Sequence, residues 1–356
     1  LGDEHSGVFI ADIGALSDKQ TKSLKEAKNT SLPKFDHALH YESNRDKIST
    51  MVELVMRSVR IKTLIIKEPF RDYKIRPEIH FLLIAESGSG KSALLSDISN
   101  SWHGVRKPPV WSSLTNAGLV GTLSKNGEMI PGAAHECDGG LFLIDEFVIS
   151  NDFEQSSNMN GILQIAESGK FTKAIGYAAK PDSKHGRVAG SYFRVKSGMV
   201  ELNVKVGMIF TTMRRLERSK NPAIDAFASR CVPFFWNITQ QEIDEMMMGK
   251  MLIRKIESEF VKKGLIDVVI PQEDYLRIFE YVRGQGLNKN LFARCVTDCC
   301  RVFAAKGNEH EEGLYKLVCD LKKSFENARI DYFRQEGIKG AETRWKGDSH
   351  ETRFGR

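Results

Sequence analysis

The chain has 356 residues, of which 41% are hydrophobic and 28% charged, with a formal net charge of +6. This is globular composition, long enough for one large or two modest domains, and the mild positive excess permits an anionic partner without demanding one. No apolar run approaches the ~20 residues that span a bilayer. The longest candidate, Val52 to Ile66, is broken by Arg57, Arg60 and Lys62, so no membrane partner is expected. Cys295, Cys299 and Cys300 crowd one predicted helix and the other three cysteines are scattered. This pattern predicts reduced core cysteines and an intracellular location, cytoplasm or, in a eukaryote, nucleus.

Residues 1–43 read as an N-terminal segment or linker, with a strand pattern at Gly7 to Ala11 and a helical one at Ser17 to Lys28. Asn44 to Lys67 predicts one long helix capped by Ser43 or Asn44, with Ile48, Met51, Val52, Val55, Val59 and Leu64 as its apolar positions. From Ile79 onward, apolar strands alternate with helices. The strands are expected at Ile79 to Ile84, Leu141 to Ile144, Val204 to Thr211 and Val232 to Trp236, with helices at Ser92 to Ser99 and Gln155 to Gly169. Strands apolar on both faces that alternate with helices predict an α/β fold with a parallel sheet covered on both sides. After Thr239 strand signals nearly vanish, and Gln240 to Lys263, Gln272 to Arg283, Asn288 to Ala305 and Gly313 to Gln335 read as helices. The expected organisation is an α/β core over 44–239, a helical lid over 240–335 and a tail over 336–356.

Ala85-Glu-Ser-Gly-Ser-Gly-Lys-Ser92 follows a strand and opens a helix, in the Walker A pattern with Ala for the first Gly. Gly88 and Gly90 let the backbone curl so that the amides of Glu86 through Ala93, including those of Ser87 and Ser89, can surround phosphate. Lys91 would reach the β- and γ-phosphates of ATP, Ser92 would hold Mg²⁺, and the helix N-terminus adds its partial positive charge. Gly139-Gly-Leu-Phe-Leu-Ile-Asp-Glu146 is a Walker B strand. It places Asp145 at the carboxyl end of a buried strand to organise Mg²⁺, and Glu146 to polarise the attacking water. Arg230, just before the strand at Val232, has the position of an arginine finger reaching the γ-phosphate held by a neighbouring subunit, which requires an oligomer. Thr212, and next Thr211, end the strand that should carry sensor 1; a Thr satisfied by backbone is the alternative. Arg294 opens a helix and is the candidate sensor 2.

Several segments together resemble the minichromosome maintenance (MCM) group of AAA+ helicases, over roughly residues 45–305. They are Ser112 to Gly121, Asp138 to Phe147, Leu163 to Ala174, the pair Ser229-Arg230, and Arg294 with Arg301. Thr122 to Gly132 sits where that family has its helix-2 insert, a hairpin aimed into the ring pore. The sequence departs from the family where an Ala-Asn-Pro should end the sensor-1 strand and Thr211-Thr-Met-Arg-Arg stands instead, and where Ser-Arg-Phe-Asp becomes Ser-Arg-Cys-Val.

The resemblance implies an ATP-dependent DNA helicase or translocase acting in replication as a homo-oligomeric, hexameric ring around single-stranded DNA. Residues 174–203 resemble an enlarged presensor-1 hairpin. Its Lys180, Lys184 and Arg187 are interleaved with aromatics such as Tyr177, Tyr192 and Phe193, a pattern suited to single strands, with a solvated insertion as the alternative. Lys125, at the helix-2 insert tip, is a second pore candidate. Two other functions compete: a regulatory AAA+ ATPase that remodels a protein, and a weakly active nucleotide-binding subunit of a replication complex, which the missing sensor-1 Asn keeps open.

Overall fold

The computed structural model describes residues 32, 35, 39, 41–101, 110–111, 118–119, 121–123, 129–147, 153–174, 186–188, 191–196, 199–213, 216–221, 223–248 and 265–335. The helix and strand expected before residue 31, the expected helix beyond residue 248 and the tail from 336 lie outside these residues.

Five strands form the central sheet: β3 (Phe81–Ala85), β4 (Val110–Trp111), β7 (Gly140–Ile144), β12 (Val206–Met213) and β13 (Val232–Trp236). All pair in parallel, in the order β13-β3-β12-β7-β4. Side chains on a strand alternate between faces, so the two-sided apolar pattern divides cleanly. Phe81, Leu83, Leu141, Leu143, Ile209, Phe234 and Trp236 enter one core layer with helices α1 (Asn44–Ser58), α2 (Lys91–Ser101), α7 (Gln272–Arg283) and α8 (Lys289–Lys306). Leu82, Ile84, Phe142, Ile144, Met208 and Phe210 enter the other with α3 (Ala133–Glu136), α4 (Phe153–Ser168) and α5 (Ala223–Arg230). The result is the expected α/β class, a parallel sheet flanked by helices.

The long helix expected from Asn44 to Lys67 is a helix only to Ser58. Ser43 caps it, accepting from the Asp46 N–H at 3.1 Å. Ser58 then turns the chain, its hydroxyl donating to the Val55 carbonyl at 2.7 Å and accepting from the Ile79 N–H at 2.9 Å. Ile61–Lys67 is strand β1, antiparallel to β2 (Asp72–Ile75) and parallel to β14 (Ile266–Ile270). β14 departs from a second expectation, that the segment after Thr239 is essentially helical. Both segments are short and rich in β-branched residues, which favour a pleated, half-buried surface once a partner strand exists.

After β13 come α6 (Gln240–Met247), β14, α7, α8 and α9 (Glu312–Gln335). Asn288 caps α8, accepting from the Leu291 N–H at 2.9 Å, and Gly307 ends it in the left-handed region at φ 99°. All six cysteines are free and buried, and Cys295, Cys299, Cys300 and Cys319 join the α8–α9 packing.

Two insertions leave the core as antiparallel strands. β5 (Gly121–Leu123) pairs with β6 (Met129–Pro131), and Lys125 falls in their connection, outside the described residues. β8 (Lys170–Ala174), β9 (Gly186–Val188), β10 (Ser191–Lys196) and β11 (Met199–Asn203) form a sheet in the order β8-β11-β10-β9. The segment read as an enlarged hairpin is thus part of a four-stranded sheet.

Candidate functional site

At the carboxyl edge of β3 the chain turns through Glu86 to Gly90 into α2. Gly88 and Gly90 have φ of 75° and 80°, the left-handed region that a Cβ disfavours. A Cβ built on Gly88 would meet nothing within 4 Å, so the loop is an open cradle rather than a packed turn. Ser89 is buried, whereas Glu86, Ser87, Ser92 and Ala93 are exposed. The Lys91 ammonium lies back along the loop, donating to the carbonyls of Ala85 at 3.1 Å and Glu86 at 2.5 Å and to Ser89 Oγ at 3.4 Å. These are contacts that a bound anion can take over. Burial lowers the Lys91 pKa, and the carboxylates of Asp145, Glu146 and Glu86 oppose the shift. The two motifs therefore meet across β12.

Asp145 follows the fully buried β7. β12 lies between β7 and β3, with Phe210 opposite Ile144 and Met213 opposite Ala85, so Thr211 is level with Asp145. The Thr211 hydroxyl donates to Asp145 Oδ1 at 2.5 Å and accepts from the Glu146 N–H at 3.2 Å. That N–H also donates to Asp145 Oδ1 at 3.0 Å. Glu146 itself has φ 49°, a strained conformation for a residue other than Gly, Asn or Asp, and its side chain is exposed. The hydroxyl that joins the carboxylate pair is thus that of Thr211, the second choice from sequence. Thr212, the first choice, donates instead to the Phe147 carbonyl at 2.6 Å. Strand alternation turns the two hydroxyls to opposite faces, and the register with β7 decides which one meets Asp145.

Arg230 lies at the other edge of the sheet. It precedes β13, whose Val232 is opposite Phe81 and whose Trp236 is opposite Ala85. The Val232 N–H donates to the His80 carbonyl, at the amino end of β3, at 2.8 Å. A five-residue strand at ~3.3 Å per residue puts roughly 16 Å of sheet between Arg230 and its own phosphate loop. Its guanidinium donates to the Ala226 carbonyl at 2.6 Å and ion-pairs with Glu167 of α4. Arg294 joins it: burial lowers the Arg294 pKa and the nearby Arg230 lowers it further, while Asp298 and Glu167 oppose. Arg230 is therefore held against Glu167 at the amino edge, away from Lys91, and Arg294 lies within electrostatic reach of both. Arg301 instead donates to the Arg76 carbonyl at 2.8 Å and to Asp298 at 2.8 Å, holding α8 to the end of β2. Glu167 falls within the segment Leu163 to Ala174, but nothing in the sequence gives it a role of its own, and its ion pair with Arg230 is what brings it out.

Just before β3 and β12, at the amino edge of the sheet, lies a buried charged group with no counterpart in the sequence reading. Glu78 pairs with Arg76 at 2.9 Å and Lys205 at 3.2 Å. Burial alone would raise its pKa, but the two cations outweigh this and hold it at about 2. Lys180 and Lys184 lie outside the described residues, as does the side chain of Arg187 on β9. Among the described residues no group of three or more His, Cys, Asp or Glu is arranged to hold a metal, and no helix is long and apolar enough to cross a membrane.

A glycine loop opening a helix after one buried parallel strand, with an Asp-Glu pair closing another, defines a P-loop α/β domain. Residues 47–170 match the family model of the MCM P-loop domain, so this part of the chain is similar to that domain. That match holds both phosphate-site motifs and ends at the first residue of β8, before Thr211, Arg230 and Arg294. No curated protein matches the chain.

Proposed function

We propose that the chain is an ATP-hydrolysing subunit of a homo-oligomeric ring, hexameric as in the family it resembles, that moves along DNA as a translocase or helicase in replication. The observation that carries this reading is the separation of the two halves of the site. The phosphate loop and the Asp145–Glu146–Thr211 unit occupy the carboxyl edge of the sheet, while Arg230 precedes β13 at the amino edge, with Arg294 within electrostatic reach of it. A guanidinium that cannot reach its own phosphate loop is suited to the γ-phosphate held by a neighbouring copy, where transition-state charge develops. In this reading residues 44–239 are the ATPase core and 240–335 the lid, joined by the β1–β14 pairing.

The open cradle at Gly88 and the exposed Ser92 hydroxyl at the start of α2 fit a triphosphate with its metal. Mg²⁺ at Ser92 and, through water, Asp145 would neutralise phosphate charge. Lys91 would exchange the carbonyls of Ala85 and Glu86 for phosphate oxygens. Glu146 would take a proton from the attacking water, with Thr211 fixing both the Asp145 carboxylate and the Glu146 backbone. Lys125, Lys180, Lys184 and Arg187 are proposed to follow the DNA backbone in the pore.

The test is ATP turnover with and without single-stranded DNA, with Lys91→Ala as the blank. A severalfold rise with DNA that vanishes in the variant supports the reading. Turnover indifferent to DNA favours remodelling of a protein partner. Turnover no higher than the blank favours a nucleotide-binding subunit of a larger complex.

A further inference from the structure

Lys322, on α9, is 3% exposed. Its ammonium donates to the Ser229 carbonyl at 3.0 Å and the Cys231 carbonyl at 2.9 Å, and lies 2.8 Å from Asp298 Oδ2 of α8. Ser229 and Cys231 are the residues on either side of Arg230. An ammonium has three donors and no acceptor, so this side chain is fully committed to bracketing one residue and to one carboxylate. The carbonyls lie at the carboxyl end of α5, where a helix leaves acceptors unpaired and favours a cation.

Asp298 is also buried and is held a second time, by Arg301 at 2.8 Å. It lies one turn beyond Arg294 on α8 and is among the charges that act on Arg294. Two turns beyond Lys322, Arg329 clamps the start of the same short helix. It pairs with Asp225 at 2.6 Å and donates to the carbonyls of Glu217 and Ser219, each at 3.1 Å. α9 therefore grips α5 at both ends, and α5 carries Arg230.

We propose that Lys322 and Asp298 are positioning residues for Arg230: their buried pair fixes the backbone on both sides of the arginine and so sets where its guanidinium projects toward the site on a neighbouring copy. The inference rests on the reading of Arg230 given above. A buried ion pair is weak evidence for stability, because apolar residues of similar volume often replace one without loss. What apolar residues cannot supply is the donor to two carbonyls that flank one functional side chain. Misplacement of a reacting group by about 1 Å can cost 100-fold in rate.

The experiment is a subunit-mixing ATPase assay on the full chain. Lys91→Ala lacks a working phosphate loop but keeps Arg230, and Arg230→Ala is the reverse. Lys322→Met leaves Asp298 buried without its lysine, so the double variant Lys322→Met/Asp298→Leu, with folding checked by thermal melting, guards against simple unfolding. The clamp variants should bind a fluorescent ATP analogue with unchanged affinity and lose at least tenfold in turnover. Mixing either with Lys91→Ala should restore turnover, as mixing Arg230→Ala with Lys91→Ala does. Lys322→Arg should retain more turnover than Lys322→Met. A folded double variant with full turnover, or one not restored by Lys91→Ala while Arg230→Ala is, overturns the clamp alone. If Arg230→Ala turns over normally, the neighbouring-copy reading falls and takes the clamp with it.

Discussion

His80 makes the fold sensitive to mild acid. Its ring is 2% exposed at the amino end of β3, with Nδ1 accepting from the Met208 N–H at 3.2 Å and Nε2 3.3 Å from the Ala166 carbonyl. Burial first, then the cations Arg301 and Arg76, push its pKa down to about 3, against smaller opposing effects of Glu78 and the Ala166 carbonyl. The folded ring thus stays neutral while the same ring in the unfolded chain protonates near 6.5. Below that pH the unfolded state binds more protons, so the stability His80 contributes is complete above about 6.5 and is lost as pH falls toward 3. One proton costs ~1.4 kcal/mol per pH unit in that window, or about 2 kcal/mol between pH 7 and pH 5. His135, pushed down to about 4 by burial, adds a slope of the same sign. Glu78, at about 2, loses its contribution only as pH falls below about 4.5 and does not contaminate the measurement. Urea unfolding of the wild type and His80→Asn at pH 7, 6 and 5 isolates the effect, because Asn Oδ1 can keep an acceptor for the Met208 N–H. The variant should be less stable at pH 7 but lose about 2 kcal/mol less on going to pH 5. Parallel pH dependences for the two proteins would refute the assignment.

Two substitutions separate neighbouring roles. Thr211→Val removes the donor to Asp145 and the acceptor for the Glu146 N–H, and should lower kcat by about tenfold or more with nucleotide affinity unchanged. Thr212→Val leaves only the Phe147 carbonyl without its donor, costing about 1 kcal/mol of stability with little change in kcat; steady-state turnover and denaturant unfolding of both check the order. Gly207→Ala puts a Cβ 2.6 Å from Val55 Cγ1 and 3.0 Å from Val59 Cγ2, on the stiff side chains by which α1 crosses β12. It should destabilise the protein by about 1–3 kcal/mol, and an unchanged unfolding midpoint would show that α1 can shift without cost.

Features that a single short window encodes were legible from residue order alone. Residues 81–85, 140–144, 206–213 and 232–236 are apolar on both faces and form buried parallel strands. Gly88 and Gly90 sit where the backbone takes positive φ, and Asp145 and Glu146 directly follow a buried strand. Only the tertiary structure decided the rest, because the deciding partner is far away in the chain. Ile61 to Ile66 shows no clean alternation and reads as helix until Ile266 to Ile270 pairs with it. The register of β12 against β7, not any property of a Thr-Thr pair, turns Thr211 rather than Thr212 toward Asp145. Glu167, Asp298 and Lys322 look like ordinary helix charges in one dimension. The cost of burying Asp298 and Lys322 is offset only by partners on other elements, so their placement around Arg230 is a property of the packed chain.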